Sequence, residues 1–191
     1  MIPVLLERII GQPIQEPVPP DWRAIADQTG LDFPSDYRSL AERYTALAIF
    51  EFFIIYHPTS RQANLLAVME PQLEMARVYL RWTDEFAGGY DPETGENIPP
   101  GGTVDYNFYP ETGGLLPWGV TANGQKCLWL THENPEKWTV IIADDVVGWW
   151  HYKGSMTAFL ADLISEKFTC PAIGEDFIEE WFEEDDVKQI G

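Results

Sequence analysis

The side chains in this sequence that could carry out chemistry are few and scattered. Histidine is the usual proton carrier near neutral pH and a common metal ligand, and there are three: His57, His132 and His151. A zinc site needs donors at short spacings such as HExxH or CxxC, so that one turn or helix presents two ligands together. None of the three has such a neighbour. His57 precedes Pro58 at the end of an apolar run, His132 precedes Glu133, and His151 sits among aromatics. Each is expected to be a structural or surface imidazole. Cys127 and Cys170 lie far apart in sequence and lack ligand spacing, so two buried, reduced thiols are expected.

Other routes to catalysis lack their motifs. Acyl transfer needs a nucleophile held by a base and an orienting acid, and no GxSxG elbow occurs. Phosphate-cradling loops of the GxGxxG or GxxxxGK[ST] type are absent; Gly101-Gly102 and Gly113-Gly114 read as turns. Asp91-Pro92-Glu93-Thr94-Gly95-Glu96 superficially resembles a calcium loop but lacks the alternating acids and closing glutamate of an EF-hand. Paired carboxylates can cleave glycosides, yet with 31 acidic residues some pair always lies at a suitable distance. That signal discriminates nothing. The expectation is a protein with no catalytic residue, no metal and no cofactor.

Charge is the stronger feature. Thirty-one acids face 12 bases, giving a net charge of −19 and a pI near 4.3. Such a field repels nucleic acid, whose binding draws on Lys and Arg displacing counterions, and it disfavours anionic membranes. It favours a cationic partner, steering and holding it electrostatically. The acids concentrate in the tail from Gly174 onward. There Phe177, Ile178, Trp181 and Phe182 recur at helical spacing, with Glu175, Asp176, Glu179, Glu180, Glu183, Glu184, Asp185 and Asp186 between them. An amphipathic helix is expected, docked by its apolar stripe. Its acids, with Trp181 and Phe182 as aromatic anchors, are the candidate partner-binding residues. The alternative is a merely solvated acidic face.

The elements that must position these groups follow from periodicity. Asp21 suits the N-cap of a short helix carrying Trp22, Ile25 and Ala26 and stopped by Gly30. After Phe33-Pro34, Ser35 is expected to cap a second helix with Tyr37, Leu40, Ala41 and Tyr44 at helical spacing. Ile49 to Ile55, rich in β-branched and aromatic residues, reads as one strand. Met69, Leu73, Ala76 and Leu80 form a helical stripe with Met75, Tyr79, Trp82 and Phe86 beside it, and Pro71 suits its first turn. Ala87 to Gly102 is expected to be a surface loop. Leu115–Val120 and Lys126–Thr131 flank Asn123-Gly124, a hairpin signal. Trp138–Ala143 and Val147–Tyr152 follow, the former apolar on both faces and so expected at the centre of a covered sheet. Ser155 caps a last core helix with Met156, Phe159, Leu160, Leu163 and Ile164 inward. The class is α+β: a single domain, mainly an antiparallel twisted sheet packed against several helices.

In this order the segments resemble the SUKH superfamily of bacterial immunity proteins, which share a Smi/Knr-like domain. The resemblance rests on Trp22, then Thr29-Gly30-Leu31-Asp32-Phe33-Pro34-Ser35-Asp36-Tyr37, with Phe33 replacing the commoner Leu. It continues through Gly113-Gly114-Leu115-Leu116-Pro117-Trp118-Gly119, Asn123-Gly124 and Leu128-Trp129, and closes on Phe159-Leu160 after Gly154-Ser155. Trp22, Pro34, Tyr37, Pro117, Trp118, Gly119, Gly124, Trp129, Phe159 and Leu160 are expected to be structural, with Gly119 and Gly124 in turns; they mark a scaffold and not an active site.

The resemblance implies a SUKH-like domain over residues 1–170, followed by the acidic tail at 171–191. It also implies an antitoxin that neutralises a cognate polymorphic toxin, a basic nuclease above all, by masking its active surface. The alternative is a protein-binding scaffold or regulator of the same fold unrelated to toxins. The N-terminal run Met1 to Arg8 has neither a basic lead nor a cleavage site, so a cytoplasmic protein is expected. The expected partner is a protein, not nucleic acid, membrane or a small substrate, and the chain is expected to be a monomer or weak dimer.

Overall fold

The computed structural model describes residues 1–83, 85–174 and 187–190. Among them five α-helices and nine strands pack together around one mostly antiparallel sheet, so the protein is α+β. The helices are α1 (Val4–Ile10), α2 (Trp22–Thr29), α3 (Ser35–Arg43), α4 (Leu65–Trp82) and α5 (Met156–Ile164). The strands are β1 (Ala46–Ile49), β2 (Phe53–Ile55), β3 (Phe86–Asp91), β4 (Glu96–Ile98), β5 (Leu115–Thr121), β6 (Lys126–Leu130), β7 (Thr139–Asp144), β8 (Gly148–Tyr152) and β9 (Val187–Ile190). Their order across the sheet is β4-β3-β8-β7-β6-β5-β2-β1-β9.

The central strands alternate between two apolar layers, as the pleat requires. Val140 and Ile142 of β7 join Trp129, Trp150 and Tyr152 in the larger core, under α1, α2, α3 and α5. Ile141 and Ala143 point the other way, with Leu128 and Trp149, under Ala76 and Tyr79 of α4 and the crossing segment at Tyr106 and Phe108. A sheet covered on both faces is what the doubly apolar β7 sequence anticipates. The helix ends also follow the residue chemistry. The Asp21 carboxylate accepts from Ala24 N–H at 3.0 Å, Gly30 closes α2 in the left-handed region at φ 70°, and Ser155 caps α5.

Several expectations are corrected. Ile49 to Ile55 is not one strand but the hairpin β1–β2, turned through Phe50 and Glu51 at φ 53° and 51°. No glycine marks that turn. Residues 87–102 are not a loop for the most part: β3 and β4 form a hairpin there, and β3 runs parallel to β8. Gly89 makes that pairing possible, because a Cβ on it would meet the His151 carbonyl oxygen at 2.0 Å. Helix α4 begins at Leu65, capped by Asn64, so Pro71 lies inside it and not in its first turn. The lost bond would have gone to the carbonyl of Ala67, an exposed residue whose carbonyl water can satisfy. Met75 is 45% exposed and off the buried stripe, and Phe86 belongs to β3.

Ser35 does not cap α3. Pro34 takes the N-cap position, and Ser35 instead gives its N–H and hydroxyl to Glu136, at 2.9 and 2.8 Å. That carboxylate, from the short 3-10 helix Pro135–Lys137, supplies the missing acceptor at the helix start. Gly119 is not in a turn either. It lies within β5 at a bulge, where a Cβ would stand 2.7 Å from the Ile54 carbonyl oxygen.

Candidate functional site

Trp118, Trp129, Phe159 and Leu160 are fully buried, and Tyr37 is 1% exposed with its hydroxyl donating to the Tyr56 carbonyl at 2.8 Å. Burial pushes that phenol far above its ordinary range. Tyr37 meets Trp129 edge-on at 4.9 Å, and Phe33 contacts both rings. Trp22 rests against this cluster, its indole N–H on Glu42 at 2.7 Å and Arg38 over its ring. Gly124 provides the positive φ, 94°, at the β5–β6 turn, and Pro117 sits in β5 beside the bulge. All ten motif residues shape or border the main core and its turns.

The histidines are built in. His57 is 4% exposed; its Nε2 bonds the Ala41 carbonyl at 2.8 Å, while Nδ1 accepts from Thr59 N–H at 3.1 Å. That pattern fixes the neutral tautomer with its proton on Nε2. Desolvation lowers its pKa against the opposing pull of backbone acceptors. His151 bonds Thr139 Oγ1 at 3.0 Å, and burial first, then Lys153, holds it down at about 4. His132 accepts from Asn134 N–H at 2.9 Å. Cys127 and Cys170 are free and buried, and burial pushes both thiols up, so neither offers a thiolate. Among the described residues no three His, Cys, Asp or Glu side chains stand together as a metal-binding group. The Asp91–Glu96 segment is the β3–β4 turn, with Asp91 accepting from the Glu93 and Thr94 N–H groups and pairing with Lys153.

A concave feature lies where three loops meet at one end of the sheet. The segment after α2 (Gly30 to Asp32), the turn Tyr109 to Gly113 and the β6 exit (Thr131 to Glu133) enclose a groove of about 390 Å³. Its floor is tied down. Tyr109 donates to the Thr29 carbonyl at 2.8 Å, Thr131 Oγ1 to Gly114 at 2.7 Å, and Trp138 Nε1 to His132 at 2.8 Å. Asp32, Glu111 and Glu133 stand exposed at its rim, with no Lys or Arg in its lining. Among the described residues none of the three is in an ion pair. The charge is regional: between Arg81 and Lys126 the sequence holds seven carboxylates and no cation. What this arrangement can do is attract and seat positive charge against aromatic walls.

No local sequence pattern marks this groove. Its acids come from three separate loops, at positions 32, 111 and 133, and only the fold brings them together. The tail candidates Glu175, Asp176, Glu179, Glu180, Trp181, Phe182, Glu183, Glu184, Asp185 and Asp186 lie outside the described residues; the chain is described again at β9, which joins the main sheet beside β1. No helix among the described residues is long and apolar enough to cross a membrane. Comparison with protein-family models, with curated proteins and with solved structures found no match.

Proposed function

We propose that this protein is a SUKH-type immunity protein: a non-catalytic binder that occludes a basic toxin, most simply the phosphate-binding surface of a nuclease. The observation that carries the reading is the groove at Asp32, Glu111 and Glu133, which gathers acids without a cation on a chain of net charge −19. A nuclease presents Lys and Arg to its substrate, and an acidic concavity is complementary to such a surface. The side chains that serve enzymes elsewhere support the same reading. The histidines hydrogen-bond within the fold, and the thiols are buried and protonated.

The test is capture from the native host with the full chain as bait, repeated with the Asp32→Asn/Glu111→Gln/Glu133→Gln variant. A basic toxin that the wild-type chain retains, whose growth inhibition co-expression relieves, supports the proposal. A basic partner without toxicity moves the assignment to a scaffold or regulator. Capture of no basic protein at low ionic strength ends both.

A further inference from the structure

The sheet ends on β9, and what β9 covers is unusual for an edge. All four residues of β1, Ala46-Leu47-Ala48-Ile49, are buried. Left bare, an apolar strand with free N–H and C=O groups recruits another strand. β9 prevents this by pairing antiparallel with β1, Ala46 opposite Ile190 through Ile49 opposite Val187. Three of its residues are half-buried and one is exposed, and among the described residues it pairs with no strand other than β1. It can therefore leave without breaking any other strand pairing.

The contacts of β9 also show what this edge selects. Val187 and Ile190 pack on the main core. Lys188 pairs with Glu51, at the tip of the β1–β2 turn, where the positive φ of Phe50 and Glu51 sets the turn geometry. The Gln189 amide accepts from Ile14 N–H at 2.8 Å and donates to the Gln12 carbonyl at 3.0 Å, reading the backbone of the segment after α1. Backbone pairing gives strand addition its affinity, and such side-chain subsites give it selectivity.

We infer that the β1 edge is a strand-acceptor site, filled in cis by Val187–Ile190 and open to an extended segment of a partner protein with the same pattern: apolar, cationic, amide, apolar. The cis strand acts as a latch. Being tethered, it competes at high effective concentration, so a segment in trans binds well only when the latch is weakened or outmatched. The site is separate from the acidic groove and does not depend on the toxin reading.

Two measurements test it. In the full chain, Lys188→Glu with Ile190→Asp sets like charge opposite Glu51 and removes an apolar contact. Fluorescence anisotropy then follows a labelled Val-Lys-Gln-Ile peptide flanked by glycines. The variant is expected to bind it at least about tenfold more tightly than the unmodified chain does, and to discriminate against Val-Glu-Gln-Ile. Equal binding by both chains, binding by neither, or no preference between the peptides overturns the inference. In the unmodified chain, hydrogen exchange should show the β1 amides that face β9 opening well below the free energy of global unfolding, while β6 and β7 exchange only with it. Protection of those β9-facing amides equal to that of β6 overturns the latch, whether or not the variant folds.

Discussion

The carboxylate of Asp36, in the first turn of α3, accepts both the backbone N–H of Thr157 at 3.1 Å and its hydroxyl at 2.9 Å, and so caps α5 across 121 residues of sequence. Its other oxygen accepts from Tyr37 N–H at 2.8 Å. One buried acid thus ties the starts of two helices that cover the same face of the sheet. Asp36→Ala leaves three donors unmet and should cost about 2–4 kcal/mol. Thr157→Val removes only the hydroxyl and should cost about 1 kcal/mol. Denaturant midpoints of the two single variants and the double variant check this; additive losses would mean that the two residues do not act as one cap.

His151 sets a pH dependence. Half-buried and neutral, it has a pKa of about 4 in the fold, against an ordinary 6.5. Between those values the unfolded chain binds the extra proton and the folded chain does not. Stability should therefore fall as pH drops from 6.5 towards 4, by at most about 3 kcal/mol from this residue. His57 is shifted in the same direction by its burial. His151→Gln should flatten the slope of unfolding free energy against pH over that window, and an unchanged slope would refute the assignment.

Pro71 stands exposed inside α4, where the helix loses the bond to Ala67. Pro71→Ala restores an N–H donor and relieves the ring's clash with that carbonyl, so stability should rise by about 1–3 kcal/mol. Thermal melts of the single variant decide it. A drop would mean that the proline ring itself is needed for packing.

Gly119 has the opposite sensitivity. A methyl group there would lie 2.7 Å from the Ile54 carbonyl oxygen, a backbone atom that cannot swing aside. Gly119→Ala should separate β5 from β2 and cost about 2 kcal/mol or more. Gly30→Ala offers a control: it meets nothing within 4 Å and pays only for its left-handed φ of 70°.

What was legible in the sequence followed the strength of its local signals. β5 to β8 carry continuous apolar runs broken by Asn123-Gly124 and Asp144-Asp145, and α2 and α5 begin at good capping residues, so their limits fall within a residue or two of expectation. Phe50-Glu51 has none of the chemistry that normally announces a turn, so nothing in the sequence separates β1 from β2. The Gly88-Gly89 pair of β3 suggests a loop, whereas Gly89 is demanded by the close approach of His151. α1 and β9 are short, at seven and four residues, and are held by packing that only the assembled fold supplies. The acidic character was plain from composition, but the groove was not, since no local pattern links Asp32, Glu111 and Glu133.

That groove gives the last prediction. Exposed carboxylates act on a cationic partner mainly through long-range attraction, which raises the association rate and fades as salt screens it. Replacing Asp32, Glu111 and Glu133 together by their amides keeps shape and hydrogen-bonding capacity while removing three charges. Association with the captured basic partner should slow by about tenfold at low ionic strength, and the gap should narrow at about 0.5 M salt, where the Debye length shrinks below the span of the site. Dissociation should change less. The same substitutions at Glu70 and Glu74, acids of α4 that already pair with Arg77, remove two charges elsewhere and should slow association less per charge removed. Equal slowing per charge by both sets would mean that net charge alone steers the partner and that the groove has no special place in the encounter.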